Sequence, residues 1–173
     1  VLLGILNGGN IVMIAKEECK YDIRLGQHIG AIWPAYGSAM GLALLSELTD
    51  EEINGLYPEK LPIMTEHTIP TRRELKEKLL SVRLEGVSFE SQGGWQGTEG
   101  IGAVIRNASG KPIAAISIGV PVYRMNQTKR DQCAAIIRMG ASLISYRLGY
   151  QDSRGVQIRD LEEIRDYWRN RRG

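Results

Sequence analysis

Asn7-Gly8-Gly9-Asn10 separates two short apolar runs, residues 1–6 and 11–15. Asn and Gly tolerate the positive φ that two-residue turns between twisted strands require, so the chain is predicted to open on a β-hairpin. A second hairpin is legible further on, where Asn107-Ala108-Ser109-Gly110-Lys111 joins the apolar runs 100–105 and 113–118. The intervening segments carry helix-start signals. Ser38 precedes the compact run 39–46, whose small residues at 39, 41 and 43 would let a buried helix lie close to a sheet. Thr49-Asp50-Glu51-Glu52 and Thr71-Arg72-Arg73-Glu74 both fit the capping box, in which each side chain satisfies an otherwise unpaired amide. The second of these helices, to about Leu84, carries Leu75, Leu79 and Val82 on one stripe. Thr128 is the expected cap of a long helix with Cys133, Ile136, Ile137, Gly140, Leu143, Ile144 and Leu148 on one face, ended by Gly149. Hairpin, helices, hairpin and helix leave no βαβ alternation, so the order predicts an α+β fold built on an antiparallel sheet.

The weaker signals are a third strand over residues 21–25, a loop over 26–30, a strand over 87–90 and a glycine-rich loop over 91–99. Ile158, Leu161, Ile164 and Trp168 are spaced as one face of a short amphipathic helix, expected to dock on the domain or a neighbour. The 173 residues suit one domain over 1–150 followed by a C-terminal amphipathic extension, 151–173. Val1 already lies in an apolar run, so a further segment upstream is expected. A net charge of +2 falls far short of the basic footprint of a domain whose main ligand is nucleic acid. No apolar run approaches the ~20 residues that span a bilayer, and no export signal is written, so a cytoplasmic location without membrane contact is expected.

The inventory for catalysis is thin. Cys19 and Cys133 are more than a hundred residues apart and make no CxxC pair, and His28 and His67 lack metal-ligand spacing, so neither a metal nor another cofactor is expected. Cys133 falls on the apolar stripe of a helix, where a thiol is inert. No nucleophile elbow, phosphate loop or HExxH occurs, and Gly93-Gly94-Trp95-Gln96-Gly97 lacks both the spacing and the Lys of a phosphate loop. Glu90 and Glu99 flank that loop as the one candidate acid/base pair, although polar pocket contacts suit them better. The chain reads as a non-enzyme.

Four segments in order carry a resemblance: residues 33–46 (WPAYGSAMGLALLS), 65–75, 86–90 (GVSFE) and 110–118 (GKPIAAISI). Together they resemble the C-terminal effector-binding domain of the IclR family of bacterial transcription regulators, over residues 1 to about 150. The resemblance implies a GAF- or PAS-like module, a curved antiparallel sheet with helices on both faces and a pocket on the concave side. It also implies a winged helix-turn-helix ahead of this domain, absent from these residues, through which DNA would be bound.

The implied ligand positions are specific. Ala39 and Met40, after Ser38, match positions whose backbone amides hold an effector's carboxylate or other electron-rich group. Leu25 and Trp33 match the apolar wall; Glu90, Thr98, Gly100, Ser117 and Gly119 match positions from which family members present polar side chains. Gly100 and Gly119 carry no such side chain, and with them a widened pocket is expected. Trp95, between glycines, is either a lid over the ligand or the anchor of its own loop. The implied effector is a small metabolite, a carboxylate, sugar acid or aromatic compound, acting on a homodimer or homotetramer. The alternative is an oligomerisation module whose pocket is vestigial.

Overall fold

In a computed structural model the chain is described over residues 1–18 and 26–151. The expected strand over 21–25, Leu25 itself and the amphipathic pattern over 158–168 lie outside the described residues. Six strands form one curled sheet in the order β3-β2-β1-β6-β5-β4: β1 Leu2–Asn7, β2 Asn10–Lys16, β3 Ile32–Pro34, β4 Ser88–Ser91, β5 Thr98–Arg106 and β6 Pro112–Pro121. Every pairing is antiparallel. Gly8 and Gly9 take φ of 53° and 82°, the turn that the Asn-Gly-Gly-Asn sequence predicts. β3 has no counterpart in the sequence reading. It is three residues long, pairs Trp33 with Ile11, and is too short for a periodic signal.

Among the described residues four α-helices cover both faces of the sheet: α1 Ala39–Leu45, α2 Asp50–Leu56, α3 Arg72–Glu85 and α4 Gln127–Arg147. On one face α1 to α3 bury Leu42, Leu45, Ile53, Leu75 and Leu79 against Leu2, Ile11 and Met13. On the other, α4 sets Ala134, Ile137 and Ala141 on Ile101, Ala103, Ile105 and Ala114. A fully buried leucine contributes roughly 1.5–3 kcal/mol, so these two clusters hold the sheet from both sides.

Small residues decide how close α1 comes, as the sequence implies. A Cβ at Gly41 would lie 2.0 Å from the Ala35 carbonyl oxygen, and one at Gly102 2.7 Å from that of Ala39. Ser88, fully buried on β4, donates its hydroxyl to the same Ala39 oxygen at 2.6 Å and so ties helix to sheet.

Three local expectations need correction. The Thr49 capping box is complete, but at Thr71 the hydroxyl accepts from the Glu74 amide and donates to the Glu74 carboxylate. The Thr71 backbone is instead engaged in a bridge with Lys60. The cap of α4 is Asn126, whose side chain accepts from the Lys129 amide at 2.9 Å, and not Thr128. A 3-10 turn over Val122–Arg124 ends there and leaves Asn126 extended, with φ −134°, ready to cap. The buried face of α4 is also turned from the expected one. Ala134, Ile137, Ala141 and Ser145 are inward, while Ile136, Gly140 and Leu143 are only half-buried, because the small side chains let the helix sit close to β5.

Candidate functional site

The start of α1, the end of β4, the glycine-rich loop and the open ends of β5 and β6 converge on one face of the sheet. The loop is short. It runs over residues 92–97, with Gln92 at φ 59° and Gly97 at φ 77°, and the Gln92 amide group closes it by accepting from the Gly97 amide at 3.0 Å. Gly93 and Gly94 point their N–H groups at Glu90 Oε1. Only glycine fits at 94, where a Cβ would meet the Gly37 carbonyl oxygen at 1.9 Å and Trp33 Nε1 at 2.9 Å. The loop therefore lies directly on the turn that leads into α1.

That packing places Trp95 over Trp33. The two rings stack with centroids 3.8 Å apart and an interplanar angle of 14°. Beneath them is a cavity of ≈ 50 Å³, room for a few waters. Trp33, Ser38, Ala39, Met40, Glu90 and Trp95 line it, and so do Thr98, Gly100, Ser117 and Gly119. Of the expected site residues, only Leu25 lies outside the described residues.

Two roles differ from expectation. Thr98 donates its hydroxyl to the Trp95 carbonyl at 2.8 Å, so it holds the loop. Gly100 does not widen the cavity, since the methyl group of Ala39 sits 3.0 Å from where its Cβ would be.

The sequence reading missed Gln27 and Glu99 as lining residues, along with the hairpin residues Leu2, Ile11 and Met13. The hairpin residues carried a signal: they share one face of β1 and β2 by alternation. Gln27, in a loop, carried none.

Among the described residues, two buried side-chain polar atoms have no hydrogen-bond partner, Gln27 Oε1 and Trp33 Nε1, and both residues line this cavity. Buried polar groups are paired in the great majority of cases, so an unmet acceptor and an unmet donor on two residues of one cavity wall point to a polar ligand there. Ser38 Oγ spends its acceptor on the Gly41 amide at 3.0 Å, which leaves the first-turn amides of Ala39 and Met40 as donors at the cavity wall.

Glu90 is the electrostatic feature of the site. Burial pushes its carboxyl from 4.5 up to about 7, overriding the two glycine amides that favour the charged form. Near neutrality it can thus present either a carboxylate or a carboxylic acid to a ligand. Glu99, the proposed second member of an acid/base pair, is committed elsewhere: Arg130 holds its carboxylate at 3.0 Å. No lysine or arginine lines the cavity among the described residues.

A larger groove of ≈ 560 Å³ lies at the other end of α1, between α3 and α4. Its arginines are already used. Arg83 donates to the Ser46 and Leu48 carbonyls, Arg138 to that of Glu85, and Arg106 to Gly110 and the Glu47 carboxylate. These are helix-end and turn contacts, and among the described residues no buried side-chain polar atom of the groove lacks a partner. Cys133 fits its structural reading, half-buried with its thiol pushed up by burial.

A curled α+β sheet carrying a small, partly open cavity with a few convergent polar groups suits a small-molecule-binding module. The family model for the C-terminal domain of the bacterial transcriptional regulator IclR matches residues 1–146, and the chain belongs to that family. It is 29% identical over 151 residues to the HTH-type transcriptional regulator KdgR of Dickeya chrysanthemi, covering 87% of this chain and 50% of that protein. The chain thus spans about half the length of the curated relatives it matches. Among solved structures, the repressor BlcR of Agobacterium tumefaciens superposes with a TM-score of 0.82 at 28% identity, over 87% of this chain and 60% of that one. The inducer-binding domain of a double mutant of PobR from Acinetobacter, in complex with 3-hydroxybenzoic acid, superposes with a TM-score of 0.75 at 25% identity, over 83% and 86% of the two chains. These curated relatives are transcriptional regulators. No helix among the described residues is long and apolar enough to cross a membrane.

Proposed function

We propose that this chain is the effector-sensing domain of a cytoplasmic transcription regulator and performs no catalysis of its own. A small metabolite binds at the cavity under Trp33 and Trp95, which holds only a few waters as it stands and has to open to admit it, and this binding biases the arrangement of a dimer or tetramer whose DNA-binding segments lie outside these residues. The observation that carries this reading is the coincidence of the two unpaired buried polar atoms, on Gln27 and Trp33, with the lining of one cavity. The remaining wall suits a carboxylate, sugar acid or aromatic acid: amide donors at Ala39 and Met40, Ser117 and Glu90 for hydroxyl groups, and the indole faces for an apolar or aromatic body. The complex of the PobR domain with 3-hydroxybenzoic acid supports an effector of this kind at this fold.

The test is a thermal-shift and calorimetric screen of the chain with pyruvate, gluconate and 3-hydroxybenzoate. A ligand at a hundred times its Kd stabilises the folded state by about 2.7 kcal/mol, a rise of roughly 5–10 °C for a chain of this size. One class of compound is expected to produce such a rise, with the effect lost in Trp33→Ala and Glu90→Ala. The sensing role fails if no compound shifts the melting temperature while sedimentation still shows a stable oligomer, which would leave oligomerisation as the domain's function.

A further inference from the structure

Two threonines outside the cavity hold its roof. The segment between α2 and α3 returns past the glycine-rich loop, anchored by Tyr36, whose hydroxyl donates to the Pro62 carbonyl at 2.9 Å. From this segment Thr68 donates to the Gly93 carbonyl and Thr65 to the Gln92 carbonyl, each at 2.7 Å.

Both hydroxyls are fixed from behind. Thr68 Oγ1 accepts from the amides of Met64 and Thr65, and Thr65 Oγ1 accepts from that of His67. Thr68 Oγ1 therefore has both acceptor sites filled by its own turn and its single proton aimed at the loop, while Thr65 Oγ1 accepts one amide, lies 3.4 Å from Thr68 Oγ1 and has the loop carbonyl as its shorter contact, at 2.7 Å. Thr68 is 5% exposed, so this bond is shielded from competing water. Glycine at 93 eases the approach, since a Cβ there would lie 3.2 Å from the His67 carbonyl oxygen and 3.0 Å from Glu90 Oε1, both tighter than ordinary contact. From the same segment, Met64 packs towards Gly37 on the approach to α1.

We infer that Thr65 and Thr68 are positioning residues for the effector site: by holding residues 92 and 93 they seat Trp95 on Trp33 and the Gly93 and Gly94 amides on Glu90, and so set the affinity of a cavity that neither threonine lines. The inference rests on the sensing role proposed above for its binding consequence, but the seating of the loop stands independently of any ligand. Residues 92–97 have few other ties. They are the Gln92 amide, which donates to the Thr98 carbonyl at 2.8 Å, the Val122 amide, which donates to the Gly97 carbonyl at 2.9 Å, the Gly93 and Gly94 amides on Glu90, Gln92 Nε2 beside His67 at 3.5 Å, and the internal contacts of Gln92, Trp95 and Thr98; none of these reaches the Gln92 or Gly93 carbonyl. Without the threonine hydroxyls, the Gln92 and Gly93 carbonyls lose their side-chain donors and the stack loses its support.

The experiment replaces the hydroxyls with methyl groups of the same shape, in Thr65→Val/Thr68→Val, and reads the tryptophan pair directly. Stacked indoles give an exciton couplet in circular dichroism, which Trp95→Phe identifies by abolishing it. The double variant is expected to lose the couplet and to bind 3-hydroxybenzoate, or whichever screened compound binds the parent, about tenfold more weakly. The helical signal should be kept, and Thr68→Ser, which restores one hydroxyl, should recover part of both effects. If the double variant does not fold, Thr65→Val alone is read in the same way. A retained couplet with unchanged affinity overturns the inference, as does a couplet lost with affinity intact. If no compound binds the parent, the sensing role fails, and the couplet alone decides whether the threonines hold the loop.

Discussion

Glu90→Gln isolates the buried acid at the centre of the site. Glu90 ionises near 4.5 when exposed in the unfolded chain, whereas burial in the folded one raises this to about 7. Gly93 and Gly94 pull it down, Glu99 nearby pushes it up, and Lys78 lowers it slightly. Between those two values the unfolded state releases a proton that the folded state keeps, so stability falls as pH rises across the window. At 1.36 kcal/mol per unit, the total loss between pH 4.5 and 7 is about 3 kcal/mol. Below the window both states are protonated and the residue contributes no pH dependence; above about 7 the loss is complete. Gln resembles the protonated acid and keeps an oxygen for the Gly93 and Gly94 amides, but cannot ionise. Urea denaturation of parent and variant at half-unit steps from pH 4 to 8 should therefore show two curves that diverge with rising pH. The variant should gain about 3 kcal/mol relative to the parent by pH 7, with the m-value unchanged. Parallel curves, or a parent that gains on the variant as pH rises, would refute the claim that burial dominates the environment of Glu90.

Two further substitutions test how α1 is seated. Gly102→Ala puts a methyl 2.7 Å from the Ala39 carbonyl oxygen and 2.9 Å from Ser88 Oγ, so α1 must shift; a loss of about 1–3 kcal/mol in urea denaturation is expected, with weaker effector binding. Ser38→Ala removes the cap that accepts from the Gly41 amide and should cost about 0.5–2 kcal/mol, read as a lower midpoint at constant m-value.

The fold was largely readable because its signals are local. Turn residues fix both hairpins, Thr49 and Ser38 fix helix starts, and the Leu75–Leu79–Val82 spacing fixes the inward face of α3. Where reading failed, tertiary contact had overruled the local pattern. Strand β3 exists because Trp33 pairs with Ile11, and the inward face of α4 follows the small residues Ala134, Ala141 and Ser145 that let it approach β5, not its largest apolar side chains.

The site was legible only through the family resemblance, which named positions without the reasons they matter. Nothing local in residues 65 and 68 says that they will meet residues 92 and 93, and Gln27 has no pattern at all. Gly100 was misjudged because sequence reports a missing side chain but not what fills its place, which here is Ala39.

The central claim is that the cavity beneath Trp33 and Trp95 is the effector site. A crystal structure of the chain grown with the compound that stabilises it most would test this directly. Density is expected beneath the two indoles, with a hydrogen bond from Trp33 Nε1, a donor group of the ligand on Gln27 Oε1, and contacts to Glu90 and Ser117. Density confined to the groove lined by Arg83, Arg106 and Arg138, with the Trp33–Trp95 stack and its cavity unchanged, would contradict it.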